Sequence, residues 1–293
     1  MSKDPNRFLA PPGKKIKLKD YSTNYTGDME KDVGKATLEV VKEKLSKYQE
    51  ILYAENAHSL LIIFQAMDAA GKDSAISHVM SGLNPQGCQV FSFKTPTANE
   101  YEHDFLWRHH LALPQRGRIG IHNRSHYENV LVCKVHPEYI LNERIPGFDT
   151  VKKIGKSFWK ERYESIRNFE KHISANGTVV LKFFLNVSQD TQKERFLNRI
   201  NDPAKNWKFS SADITERGKW KQYMSAYEEA ITETSTDESP WYIIPADKKW
   251  YARLAISQIL EQKFAELNLR FPKLPKDEIA RLEEYKNQLF AEV

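Results

Sequence analysis

Five short runs with apolar centres punctuate the chain: Leu60–Phe64, Cys88–Phe93, Arg118–His122, Thr178–Asn186 and Trp241–Pro245. Each has strand length, and the stretches between them carry apolar residues at helical spacing. Helices are predicted over Asp32–Tyr53, where Leu38, Val41, Leu45 and Ile51 share a face, and over Ser74–Leu83, Asn99–Leu111, Ser157–Ala175 and Thr191–Ile200. Strands alternating with helices argue an α/β fold whose parallel sheet is covered on both faces. In such sheets ligands bind beyond the carboxyl ends of the strands. After Asp202-Pro203 the pattern changes, and Lys205–Thr232 is charged, aromatic and helical with no strand of its own. It is a helical insertion over about 203–234, read either as a lid or as a plain surface helix pair. A last helix over Lys248–Leu267 and a polar tail over 271–293 complete the chain. Ahead of the core (31–270), residues 1–30 form a basic arm bearing Lys14, Lys15, Lys17 and Lys19, expected to drape over the surface or stay mobile.

Composition narrows the class without naming a partner. The chain has 293 residues, 40% hydrophobic and 28% charged, with a net charge of +5. Cys88 and Cys133 are its only cysteines, too few for a disulfide framework or a four-cysteine metal site, and a reducing cytoplasm is the expected compartment. No apolar run approaches the roughly 20 residues of a membrane span, and the N-terminus does not read as a secretory signal.

The strongest chemical signal follows the first strand. Asp68-Ala69-Ala70-Gly71-Lys72-Asp73-Ser74 reads as a small-residue loop whose lysine opens a helix, a layout that aims backbone N–H groups and an ammonium at one bound phosphate. The match to the phosphate-loop motif is imperfect. Ala66 occupies the first glycine position, and Asp73 stands where a hydroxyl residue normally reaches the metal, with Ser74 one place late. Asp68, a carboxylate inside a phosphate loop, makes sense as a magnesium ligand or as a group orienting the acceptor. The bland alternative is a carboxylate that caps the following turn.

A second constellation runs from Arg116 to Glu128, with Arg118 at its start. Its strand ends in Asn123 where phosphate-loop enzymes usually supply an acid, leaving Glu128 as the nearest carboxylate, while Arg124 offers a planar fork of donors. His122 and His126 have i, i+4 spacing but no evident third ligand, so metal ligation by them is set aside. A third constellation is basic: Lys152, Lys153, Lys156, Lys160 and Arg162, then Arg195, Arg199, Lys205 and Lys208, then Arg217, Lys219 and Lys221. Each run alone is an ordinary solvated face. Together, flanking a phosphate loop, they would neutralise a long polyanion, either nucleic acid or inorganic polyphosphate. No interleaved aromatic RNA-binding signature appears, and Trp207 and Tyr223 are expected to pack the lid.

Several segments in order resemble the polyphosphate kinase 2 family: Asp68–Lys72 with its strand, His122-Asn123-Arg124-Ser125-His126-Tyr127-Glu128, Leu181–Leu185, and Arg195-Phe196, Arg199, Asp202-Pro203, Trp207–Ser210 and Asp213. They span about 30 to 270, and the form of the second block resembles the class III branch. The resemblance implies a thymidylate-kinase-like phosphate-loop fold with a helical lid, assembled as a homodimer or homotetramer. It implies Mg2+-dependent, reversible transfer of the terminal phosphoryl of polyphosphate to AMP or ADP, with GMP or GDP as further candidates and neither membrane nor nucleic acid as partner. Carried over by position, Asp68, Lys72 and Arg124 are catalytic. Ala69, Ala70, Gly71, Lys72, Asp73, Ser74, Arg118, Arg199 and Lys208 bind phosphate, and Asp68 and Glu128 hold the metal. The competing readings are an ATP-dependent nucleoside monophosphate kinase and a non-catalytic polyanion binder.

Overall fold

The computed structural model describes residues 5–292; residues 1–4 of the expected arm and residue 293 of the expected tail lie outside the described residues. In chain order the elements are β1 (Leu9–Ala10), α1 (Lys31–Glu55), β2 (Ser59–Ala66), α2 (Lys72–Val79), β3 (Cys88–Ser92), α3 (Trp107–His110), β4 (Ile119–Asn123), α4 (Val132–Val135), α5 (Lys156–Ala175), β5 (Thr178–Asn186), α6 (Gln189–Asn201), α7 (Ser211–Gly218), α8 (Trp220–Thr234), β6 (Trp241–Pro245), α9 (Lys249–Glu266) and α10 (Lys276–Ala291). The sheet runs β1-β6-β5-β2-β4-β3 and is parallel except for β1, which pairs antiparallel with β6.

Strand β2 sits in the middle because it is apolar on both faces. Leu60, Leu61, Ile62, Ile63 and Phe64 are all buried, and Phe64 stacks on Phe183 of β5 at 5.4 Å. Its two neighbours are reached by crossovers on opposite sides, so a crevice opens at its carboxyl end where the chain direction diverges. That crevice receives the loop before α2.

Helices α1, α2 and α9 pack together, as do α5 and α8, with the sheet between its flanking helices. Close approach of α1 to α9 depends on Gly34, where a Cβ would come within 2.2 Å of the Trp250 ring. Beneath β4 and β5 lies a fully buried polar knot. Lys182 Nζ meets Glu170 Oε2 at 2.6 Å, the Thr234 carbonyl at 2.7 Å and the Tyr127 hydroxyl at 3.0 Å. With both charges paired and hydrogen-bonded, the desolvation penalty of burying them is offset.

Three local expectations are corrected. The arm is not a free tail: β1 extends the sheet, Phe8, Ile16 and Leu18 are buried, and the Ile16 and Leu18 amides donate to Thr232 Oγ1 and Glu228 Oε1 at 2.9 and 2.8 Å. The helix expected over Asn99–Leu111 is reduced to a 3-10 turn at Glu100–Glu102 and the single turn α3. His103 adopts an extended conformation and Asp104 Oδ1 accepts from the Leu106 amide at 2.8 Å, a local bond that competes with helix continuation. The polar tail contains α10, which has no buried residue.

Candidate active site

The loop Met67–Gly71 takes a shape that its sequence only partly announces. Gly71 has φ +99°, a value that suits glycine, yet Ala69 also stands at φ +60°. A left-handed alanine is held by its surroundings. Arg195 of α6 supplies them: Nη1 donates to the carbonyls of Ala69 and Ala70 at 3.0 and 2.7 Å, and Nη2 donates to those of Ala246 and Asp247 at 2.7 and 3.1 Å. Gln192 adds a bond to the Asp68 carbonyl at 2.8 Å. With its carbonyls pulled towards α6, the loop leaves its other side to N–H groups. Gly71, the N-cap of α2, brings no capping side chain, so the first-turn amides stay free for an anion.

Five charged side chains share the space in front of those amides. Lys72 makes no hydrogen bond or ion pair among the described residues. Its pKa is lowered first by desolvation and by Arg124, against the opposing pull of Glu128, Asp68 and Asp73. Asp68 Oδ1 accepts from Arg124 Nη2 at 3.4 Å. Arg124 sits at φ +66° directly after β4, a turn that directs its guanidinium back over the loop. Burial works against its charge, but Glu128 and Asp68 outweigh burial and raise its pKa. Asn123 Nδ2 donates to Asp73 Oδ1 at 2.7 Å. The acid missing from the end of β4 thus faces it from the first turn of α2.

Two regions open from this cluster. On one side, a cleft of about 330 Å3 lies between the end of β3 and the turn after β4, bordered by Phe93, Tyr101, Phe105, Arg108, Arg124 and Glu128. A largely apolar hollow with a few convergent charges suits a drug-sized ligand. On the other side, Lys249 has its pKa lowered by burial and then by Arg195, Arg253, Arg199 and Lys205, which marks a concentration of five cations. Asp213, from the first turn of α7, closes over the top. Its pKa is raised by burial and by Asp68, and it lies 3.9 Å from Arg199.

The structure brings Asp68, Ala69, Ala70, Gly71, Lys72, Asp73, Arg124 and Glu128 together and sets Arg199 at the edge. Arg118 is corrected: it precedes β4, at the end of the sheet opposite the loop, where it bonds the Gln86 carbonyl and covers the Tyr53 ring. Parallel pairing forces that separation, since strand ends of unlike polarity lie a whole strand apart. Ser74 is corrected too, because its hydroxyl accepts from Arg253 Nη2 at 2.7 Å rather than facing the cluster. Lys208 is exposed, with its ammonium over the Trp207 ring, and Trp207 is 77% exposed instead of packed. Arg162, placed in the basic groove by sequence, is buried in a bidentate pair with Glu143 at 3.2 and 2.8 Å. Sequence reasoning assigned no individual role to Arg195, Lys249, Arg253 or Asp213. Asp213 and Arg195 stood in the run that resembles the family, without a role; α9 looked structural, so its cations carried no signal.

Comparison with known proteins gives a consistent result. The sequence model described as polyphosphate kinase 2 matches residues 28–272. An ADP-polyphosphate phosphotransferase of Rhodopseudomonas palustris is 51% identical over 268 residues, covering 91% of this chain and 92% of its own. An AMP/ADP-polyphosphate phosphotransferase of Meiothermus ruber is 40% identical over 269 residues, covering 91% and 95%. The crystal structure of polyphosphate kinase 2 from Arthrobacter aurescens superposes with a TM-score of 0.86 at 37% identity, over 97% of this chain and 98% of that one.

Proposed function

The chain belongs to the polyphosphate kinase 2 family, and from that premise we propose that it moves the terminal phosphoryl group of inorganic polyphosphate onto AMP and ADP, reversibly. The observation that carries this reading is the meeting of Lys72, Arg124 and Asp68 between a nucleoside-sized cleft and a separate concentration of cations. A donor such as ATP needs one nucleotide cleft for itself and another for its acceptor. A linear polyanion needs a track of positive charge, which Arg199, Lys205 and Lys249 supply.

Phosphoryl transfer depends on in-line placement and on neutralising charge that shifts between bridging and terminal oxygens. Lys72 and the amides opening α2 bind the oxygens of the migrating group, and Arg124 binds them from the cleft side. The cleft holds the nucleoside between its aromatic walls, so the acceptor phosphate projects towards Arg124. Desolvation of Lys72 strengthens each of these contacts, because charge interacts more strongly away from water.

A divalent cation fits the residues present. Asp68, Glu128 and Asp73 gather hard carboxylate oxygens in one place, and Asp213, whose pKa is raised by burial and then by Asp68, adds a further acid beside them. Asp68 and Glu128 are the ligands proposed for Mg2+, with Asp73 oriented by Asn123. When bound, the ion supplies further neutralisation of phosphate oxygens.

The test is to incubate the protein with Mg2+, polyphosphate and either AMP or ADP, with ATP omitted, and to measure ADP and ATP formed. Absence of product with both acceptors sinks the reading. Among the described residues no helix is long and apolar enough to cross a membrane. The two thiols are free, which suits a reducing compartment such as the cytoplasm.

A further inference from the structure

The sequence leaves His122 and His126 without a third companion, and folding provides one. His109, on α3, packs against both, and one ring nitrogen from each of the three histidines lies within 4.8 Å of the other two. All three are sealed from solvent, at 2%, 0% and 0% exposure. The Nδ1 atoms of all three are buried without a hydrogen-bond partner. An orphaned polar atom in a dry interior is costly, so three of them on rings in contact through His109 ask for a common partner.

Their surroundings fix what that partner must be. His122 Nε2 lies 3.1 Å from the Ala112 carbonyl, and His126 Nε2 lies 3.2 Å from Glu170 Oε1. Lys182, 2.6 Å from the other Glu170 oxygen, keeps that group a carboxylate. A carbonyl and a carboxylate only accept, so both Nε2 atoms carry the proton and both Nδ1 atoms present bare lone pairs. Metal-bound histidines are held in this manner, with the remote N–H anchored on a carbonyl or carboxylate that sets tautomer and ring orientation. His109 also lines the 330 Å3 cleft, so the cluster adjoins that hollow.

We propose that His109, His122 and His126 bind one divalent transition-metal ion of the zinc class, with the fourth position turned towards the cleft. Neutral imidazoles favour zinc, cobalt, nickel or copper, whereas magnesium prefers the carboxylates around Asp68. Tetrahedral Zn–N bonds of about 2.0–2.1 Å set nitrogens about 3.4 Å apart, so the rings close up by at most about 1.4 Å on binding. The ion would tie α3 to both sides of the Arg124 turn, since His122 and His126 flank Asn123-Arg124-Ser125. Its role is structural and is independent of the phosphotransfer reading.

The full chain, stripped with a chelator, is incubated with a slight excess of Zn2+ in the presence of excess Mg2+, desalted and analysed for metal. One zinc per chain is expected for the unaltered protein and for Asp68→Asn, which weakens the carboxylate site. His109→Phe is expected to bind zinc at least ~10-fold more weakly. That variant keeps a ring against Phe93, 4.2 Å away, and gives up no side-chain hydrogen bond, so its metal-free melting temperature should match the unaltered protein. Co2+ should give the d–d absorption of tetrahedral nitrogen coordination in the unaltered protein and not in His109→Phe; if that variant fails to fold, the unaltered protein's cobalt spectrum decides the matter. Failure to retain zinc, equal retention by His109→Phe, or loss in Asp68→Asn overturns the proposal. A buried water or an unfilled cluster would then account for the three nitrogens.

Discussion

Lys72 is a cation kept in a place that disfavours cations. Desolvation and Arg124 press on its charge, and Glu128, Asp68 and Asp73 sustain it without any direct bond. An ammonium so placed is free to grip an incoming anion. Replacing it with alanine should therefore cost at least ~10²-fold in polyphosphate-dependent ATP formation. Because no hydrogen bond is lost, the melting temperature should move by less than about 3 °C. Arg195 behaves in the opposite way. It spends its guanidinium on four backbone carbonyls around the left-handed Ala69, so Arg195→Ala should lower stability by about 2–4 kcal/mol in urea unfolding, and activity with it. An unchanged unfolding midpoint would show that the loop holds its shape unaided. Of the site residues, those in the loop and the Asn123–Glu128 block were readable because their chemistry is local: a carboxylate beside a phosphate-binding turn demands a cation. Arg195 was not, since one arginine on a basic helix looks the same whether it faces solvent or staples a loop from another element.

At the scale of elements, the five parallel strands and the long helices follow from periodicity, and their packing hinges on a few close approaches. Gly34 lets α1 lie against Trp250 of α9, and an added Cβ at 2.2 Å would displace that ring. Gly34→Ala should destabilise by about 1–3 kcal/mol, measured as a shift in denaturation midpoint with the m-value unchanged. The elements that periodicity missed were decided elsewhere. Strand β1 is two residues long, too short for any alternation to register, and exists because β6 offers it an edge. The segment Asn99–Leu111 has helical spacing, but Asp104 caps its own downstream amide and the chain turns towards the cleft instead. In the insertion, α8 buries Tyr223, Tyr227 and Ile231 in the core, while α7 and the turn before it stay largely exposed. Of the two helices, α7, which carries Asp213, is the one that buries no residue.

Across the whole molecule, cations are sorted by partner. Those of α5 and the arm are solvated or paired with acids, as Arg162 is with Glu143, whereas Arg199, Lys205 and Lys249 crowd together beside the loop, where Asp213 and Asp202 face the first two and Lys249 has no ion pair among the described residues. Binding of a polyanion there should release counterions, so the apparent affinity for polyphosphate should fall steeply with salt, with a log–log slope of about −2. Lys249→Ala should flatten that slope by about 1, while the affinity for ADP should depend on salt much less. A second global expectation concerns α10. Ile279, Leu282, Tyr285, Leu289 and Phe290 are all exposed on a helix that buries nothing, and the homodimer or homotetramer expected from the family resemblance can be tested on that face. If α10 forms the contact, Leu282→Asp with Leu289→Asp should lower the mass measured by light scattering towards that of one chain, and an unaltered mass would place the contact elsewhere.

By itself the sequence determined the α/β class, the strand that feeds the phosphate loop and the residue types at the mouth of the site, because hydrophobic period and local turn chemistry act over a few residues. It could not determine which cations face the loop, that Arg118 lies at the far end of the sheet, or that His109 folds back onto His122 and His126. Those outcomes depend on strand order and crossover direction, which bring together residues such as Ser74 and Arg253, 179 positions apart. A contact between such partners is set by the packing of whole layers, and no window along the chain contains it.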